Sequence, residues 1–444
     1  MDDQGAAEAA EAADADASAQ DTGSGSGSGS GSEGRISTRE AARRLGVKPE
    51  TLYAYVSRGL LTSRRVPGGR GSTFDPGEVA VLAGRGRPGS GAQDRPAEGA
   101  ADGGWGRIPT SVTLIEADRY SFRGVDATAL ARAYSYEEVA EWVWTGELRR
   151  GVRFTAPPEP LAAARRAAGS LPAASGPMDR LRVAVIAAAS ADPLRFDLSP
   201  EAVLGTARSL IPTLVDALPA AGQPHRGAGR LAWRLWSRLT ALPPDDASLR
   251  VLDAALALLI DHDLAASTLA VRVAASARAH PYAAVSAGLG ALDGPLHGQA
   301  SALAHRMLAE VLERGGAGPV VAGQLRAGQR IPGLGHRLYQ GEDPRATLLF
   351  DLLTEVPAAS DALAAARDVV ATTARHTPLH ANVDLALGVL SVACAMPEEA
   401  GETVFAVART AGWIAHALEE YAERPLRMRP SGLYQGPRPP QPLP

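Results

Sequence analysis

Three histidines, an arginine and an aspartate stand out because each lies at a Gly- or Pro-rich turn in a chain otherwise rich in alanine and leucine. They fall in DHDLAAST (Asp261–Thr268), GPLHGQAS (Gly294–Ser301), IPGLGHRLYQGEDPR (Ile331–Arg345) and HANVD (His380–Asp384). All nine histidines lie beyond residue 220, so the chemistry belongs to the C-terminal half. The motif histidines, His262, His297 and His336, are single and some thirty-five to forty residues apart, which is not zinc-ligand spacing. His376 and His380 are four apart but flank a proline. No G-x-S-x-G elbow, Walker loop or dinucleotide fingerprint is present, which sets aside the common serine-hydrolase and nucleotide-binding chemistries. What remains is a carboxylate and neutral histidines at turns where backbone can approach a ligand closely. That set suits removal of a proton next to a carbonyl, with aspartate as base and histidine donating to the forming enol oxygen. Arginines nearby would bind an anionic substrate in bidentate pairs. A carboxylate is a weak base for a C–H bond, so such a site needs a closing cleft that excludes water.

The elements that must hold these residues are helical. Ser111–Ile115 and Arg119–Phe122 alternate like a small hairpin. Amphipathic helices are expected at Tyr136–Gly146, Glu159–Ser170, Asp179–Ala189, Pro200–Ala217, Arg230–Leu242, Ala247–His262 and Ser267–Ala279, punctuated by Pro and Gly. The fold class is all-α, with fifteen or more helices between 107 and 437 and no fixed-period repeat. His280, His305 and His416 fall on amphipathic stretches and read as structural, as does the single cysteine, Cys394, among apolar neighbours.

From about Ser111 to Gly436 the chain resembles the citrate synthase family. DHDLAAST, GALDGPLHG, PGLGHRLYQGEDPRA, NVD and FAVARTAGWIAHALEE occur in the family's order and at close to its spacing. The resemblance implies a two-domain all-α dimer whose small domain, about 299–392, closes over substrate. It implies condensation of acetyl-CoA with oxaloacetate, without metal or cofactor. Carried onto this chain, His297 polarises the thioester carbonyl, Asp384 removes the methyl proton and His336 bonds the ketone of oxaloacetate. His262, Arg345 and Arg409 hold oxaloacetate. Arg429, preferred over Arg424 as the arginine of the C-terminal RP dipeptide, reaches the partner subunit's site. Four positions depart from the family's common residues: Ala265, Gln299, Ser301 and Leu334. The resemblance leaves open a 2-methylcitrate synthase using propionyl-CoA, or a transcription regulator with a synthase-like sensor domain.

The N-terminal part has another character. Residues 1–34 form an acidic tail ending in a Gly-Ser repeat, and 85–106 form a Gly/Pro/Ala linker. Between them, 35–84 open with a capping box, Ser37-Thr-Arg-Glu40, and run helix, turn, helix, then two short β-prone segments about Pro67-Gly-Gly-Arg70. AARRLGVKPETLYAYVSRGLL resembles the winged helix-turn-helix of the MerR and excisionase type. From Arg35 to Arg87 there are eleven Lys/Arg against four Asp/Glu, in a chain of net charge −4. Arg43, Arg44, Lys48, Arg58, Arg64 and Arg70 are candidate phosphate contacts on DNA, and a dimer would present two such modules to a two-fold operator. No apolar run is long enough to span a bilayer and no secretory signal opens the chain, so the expected location is cytoplasmic.

Overall fold

The structure is a computed structural model that describes residues 36–45, 47, 52, 56, 61–65, 72–79, 107–116, 119–223, 229–294, 297–339 and 341–441. The chain divides into two units, Met1–Ala101 and Asp102–Pro444. The expected tail, the linker, and Lys48, Arg58 and Arg70 lie outside the described residues.

In the first unit the helix Thr38–Leu45 starts where the Glu40 N–H donates to Ser37 Oγ at 3.3 Å. The other half of the expected capping box does not form. The Glu40 carboxylate turns to Arg43 at 2.7 Å and Arg44 at 2.9 Å. Strand Ser72–Phe74 pairs antiparallel with Ser63–Arg65 on one side and with Ile36–Ser37 on the other. That last strand is too short to leave a sequence pattern. Ala41, Ala42, Leu52, Leu61, Phe74 and Val79 form the core under this sheet, leaving Arg43, Arg44 and Arg64 exposed.

In the second unit a meander of β1 (Thr113–Glu116), β2 (Arg119–Phe122) and β3 (Val125–Asp126) precedes fifteen α-helices among the described residues. These are α1 (Ala127–Ala133), α2 (Tyr136–Thr145), α3 (Pro158–Gly169), α4 (Pro177–Ser190), α5 (Pro200–Ala217), α6 (Leu231–Leu239), α7 (Asp246–Leu258) and α8 (Ala266–Ser276). Then come α9 (Pro281–Leu292), α10 (Ala300–Arg314), α11 (Ala317–Arg326), α12 (Pro344–Leu353), α13 (Ser360–Ala374), α14 (Val383–Ala393) and α15 (Ala400–Ala422). Proline opens α3, α4, α5, α9 and α12, where its missing N–H costs nothing.

Two helices end earlier than the pattern predicts. The expected Arg230–Leu242 stops at Leu239, because Thr240 turns extended before Pro243-Pro244. The expected Ala247–His262 stops at Leu258, so Asp261 and His262 lie in the loop to α8. His280 is also not within a helix: its ring accepts the Ala283 N–H as the N-cap of α9.

Helix α15 runs buried through the apolar core and packs against α2, α5, α7, α8 and α9 and against α10 and α14. Helices α10 to α14 pack chiefly against one another and join the rest mainly through α7 against α12 and through α10 and α14 against α15. Among the described residues, no helix is long and apolar enough to cross a membrane.

Candidate active site

The loop after α7 is fixed from several directions. The Tyr120 hydroxyl of β2 donates to the carbonyl of Leu258 at 2.8 Å and to that of Asp261. The Asp261 carboxylate accepts from Thr113 Oγ1 at 2.5 Å and lies 3.2 Å from His416 Nε2 on α15. Arg272 Nη1, which can only donate, lies 2.9 Å from His416 Nδ1, and His416 Nε2 meets Asp261 as a close charge contact without hydrogen-bond alignment. Burial would lower His416, but Asp261 and Glu419 hold it up at about 9. Burial would raise the Asp261 carboxyl, but His416, Arg409 and Thr113 outweigh it and hold it ionised. His262, next in the chain, is thereby set into the cleft, buried, with Nε2 2.9 Å from the Tyr339 hydroxyl.

Two distant stretches are stitched together on the other wall. Leu334 forms a bridge with Ala381, Gly335 N–H donates to His380 O at 2.8 Å, and Asn382 N–H donates to Gly333 O at 2.9 Å. The tight turn at Gly333 needs φ of +75°, and an added Cβ would sit 2.7 Å from Leu385 Cβ on α14. Gly333→Ala is therefore expected to cost about 1–3 kcal/mol, read as a lowered urea midpoint. Asn382 caps α14 through the Asp384 N–H, which leaves the Asp384 side chain free for the cleft instead of capping. Asp384 Oδ1 accepts from Ser301 Oγ of α10 at 2.7 Å. Burial raises the Asp384 carboxyl above its ordinary value, with Ser301 opposing.

His336 follows the turn. Its Nδ1 accepts the Leu338 N–H at 3.0 Å, so in the neutral ring Nε2 carries the proton; Arg345 Nη2, at 3.3 Å from Nε2, is the weaker contact. Arg345 is buried and locked by Asp343, which accepts from its Nε at 3.0 Å and its Nη2 at 2.8 Å. Nη1 of Arg345 makes no hydrogen bond among the described residues. Arg409 Nε donates to Leu259 O at 2.9 Å, its guanidinium stacks 4.6 Å over the Phe405 ring, and its buried Nη2 has no partner among the described residues. A buried cationic donor without an acceptor is an invitation to an anion. His297, ahead of α10, places Nε2 2.8 Å from Ser267 Oγ.

These side chains meet in one cleft of about 320 Å³, lined by His262, Ala265, His297, His336, Arg345, Asp384, Phe405 and Arg409, with Arg337 exposed beside them. Burial, together with Arg409, pushes His297 down; burial and Arg345 push His336 down to about 4; burial, Arg345 and Arg409 push His262 well below its ordinary value. At all three positions burial favours the neutral imidazole. Arg429 and Arg424 are exposed and do not line this cleft, and neither do His376 and His380, which are also exposed. A larger cleft of about 570 Å³, about Arg230, Trp233 and Asp253, holds none of the motif residues. Among the described residues, no three His, Cys, Asp or Glu side chains are grouped to hold a metal ion. Tyr339, Ser267, Asp343 and Phe405 did not emerge from the sequence. All four lie inside motifs already singled out, so those motifs were the available signal.

Residues 104–431 match the family described as citrate synthase, C-terminal domain, and residues 36–84 match the MerR HTH family of regulatory proteins. The chain belongs to the citrate synthase family. It is 32% identical over 352 residues to the citrate synthase of Haloferax volcanii, covering 72% of this chain and 90% of that one. It is 35% identical over 204 residues to the citrate synthase of Synechocystis, covering 45% of this chain and 51% of that one. The first curated relatives are thus matched over only about half their length. The crystal structure of citrate synthase from Pyrobaculum aerophilum superposes with a TM-score of 0.64 at 26% identity, covering 76% of this chain and 92% of that one.

The four positions expected from the sequence to depart from the family, Ala265, Gln299, Ser301 and Leu334, each have a place in the geometry. Ala265 and Gln299 stand at the N-caps of α8 and α10 without a side-chain cap. Leu334 packs half-buried on the core, and Ser301 bonds the site's aspartate.

Proposed function

We propose that this protein condenses acetyl-CoA with oxaloacetate and water to give citrate and CoA. The observation that carries the reading is the convergence of Asp384, His297 and His336 in one cleft with Arg409, whose buried Nη2 has no partner among the described residues. Oxaloacetate would lie with its carboxylates on Arg409 and Arg345 and be held by His262. His336 Nε2–H would donate to its ketone oxygen. Asp384, its carboxyl already raised by burial, takes a proton from the acetyl methyl group while neutral His297 donates to the thioester oxygen. The enol carbon then attacks the ketone carbon, the alkoxide gains a proton, and hydrolysis of the thioester releases CoA. Helices α10 to α14, close to the expected 299–392, would form the lid that shuts out water. A homodimer would bring Arg429 of the other copy to each site, in the reducing setting of the cytoplasm. The test is thiol release with oxaloacetate and either acetyl-CoA or propionyl-CoA. Release with acetyl-CoA supports the reading, faster release with propionyl-CoA redirects it to 2-methylcitrate, and none with either sinks it.

The MerR match supports a second activity in the same chain. The N-terminal unit would bind DNA through Arg43, Arg44, Lys48, Arg58, Arg64 and Arg70. Binding should weaken steeply between 50 and 200 mM salt, by about 10³-fold if six phosphates are contacted. A gel shift on promoter DNA that is unchanged by removing residues 1–106 would overturn this.

A further inference from the structure

We propose that Ser301 is a positioning residue for the base: its hydroxyl anchors one oxygen of Asp384 and leaves the other to face the substrate. The inference rests on the reading of Asp384 as the base, and the geometry extends that reading to a residue with no assigned role. Ser301 lies in the first turn of α10, is 2% exposed, and its Oγ donates to Asp384 Oδ1 at 2.7 Å. Oδ2 makes no hydrogen bond among the described residues, and Asp384 lines the cleft. A carboxylate swings freely about its last torsion, so a single anchor on one oxygen decides where the other points.

The packing keeps the serine in place. Gly401 of α15 lies directly behind it, and a Cβ there would stand 2.5 Å from Ser301 Cβ. Three elements therefore meet at this bond: α10 brings the donor, α14 the acceptor, and α15 the backbone that leaves the serine room.

The bond also acts on the charge. A hydrogen bond donated to a carboxylate favours the ionised form, and here it opposes the burial that favours the neutral one. The charged and titratable groups around Asp384 are Arg345 and Asp343 at the start of α12, Arg409 on α15, and His262, His297, His336 and the exposed Arg337 along the cleft. Arg345 and Asp343 act on it with opposite signs. None of these groups donates a hydrogen bond to Asp384, so Ser301 is its only side-chain donor among the described residues.

The experiment uses the full chain with Ser301→Ala and Ser301→Thr. The kcat–pH profile, the KM for oxaloacetate and the titration of the Asp384 carboxyl by carbon-13 NMR (assigned with Asp384→Asn) are compared. Loss of the donor should lower kcat about tenfold and move the acid limb up by about one pH unit, with KM for oxaloacetate unchanged. The carboxyl titration should move with it. Ser301→Thr, which keeps the hydroxyl, should restore both. An acid limb and carboxyl titration at the unaltered position in Ser301→Ala would overturn the proposal while leaving the synthase reading intact. Absence of turnover in the unaltered protein would sink the synthase reading, and the carboxyl titration would then decide Ser301 alone.

Discussion

Asp384→Asn is expected to lower kcat for thiol release about 10²–10⁴-fold while KM for oxaloacetate stays within a few-fold. The amide is nearly the same shape and can still accept from Ser301 through Oδ1, so the replacement removes the proton acceptor without removing the anchor. It should not disturb the helix either, because Asn382 is the cap of α14. The variant should melt higher than the parent at pH 7. Burial raises the Asp384 carboxyl, so in the folded protein its ionisation costs stability above the unfolded carboxyl's range. An amide has nothing to ionise, and the gain should vanish below about pH 3, where the parent's carboxyl is neutral in both states. Equal turnover in the two proteins would remove Asp384 from the chemistry. A lower melting point would instead mean that the carboxylate is structural.

The sequence made the contents of this cleft legible and left its supports hidden. His297, His336 and Asp384 sit at Gly and Pro turns, and such turns announce themselves because few other residues can take the backbone there. The helix Pro200–Ala217 was legible to the residue, since proline opens it and the apolar period is unbroken. The loop carrying His262 was not. Apolar residues run on through Leu259 and Ile260, so the period extends the helix, while the structure ends it at Leu258. What ends it is tertiary: Tyr120 takes two carbonyls there, and Thr113 and His416 take the Asp261 side chain. Each partner comes from a part of the chain far away in sequence, and a local pattern has no access to it. The same holds for Ser267 and Ser301, small hydroxyls whose importance lies in what α8 and α10 bring them against.

The second large effect is one of stability. Glu137 and Asp253 form a buried acidic pair where the start of α2 meets α7. The Leu231 N–H donates to Glu137 Oε1 at 3.2 Å, the Tyr136 N–H donates to Asp253 Oδ1 at 3.0 Å, and Glu137 Oε2 is buried without a partner. Burial, then Asp253, pushes Glu137 up to about 7, and burial pushes Asp253 up to about 6. A carboxyl raised in the folded state binds its proton more tightly there than when unfolded. Stability from this source is therefore full below the unfolded value and is lost as pH rises through the folded one. For Glu137 the window runs from 4.5 to about 7, and the loss is about 3 kcal/mol at 1.36 kcal/mol per unit. Glu137→Gln should remove it. The glutamine oxygen can still accept the Leu231 N–H, and its amide can face Asp253 as a donor in place of a like charge. The variant should be about 2–3 kcal/mol more stable than the parent at pH 8 by urea unfolding, and equal to it near pH 4. Comparison at each pH isolates this pair from groups held down in the folded state, such as Asp261 and Asp343, whose stability is lost instead in acid. The consequence reaches the cleft, because Tyr136, beside Glu137, donates its hydroxyl to the carbonyls of Val407 and Ala408, directly before Arg409. A pH-independent difference between the two proteins would show that the pair is not where alkaline stability is lost.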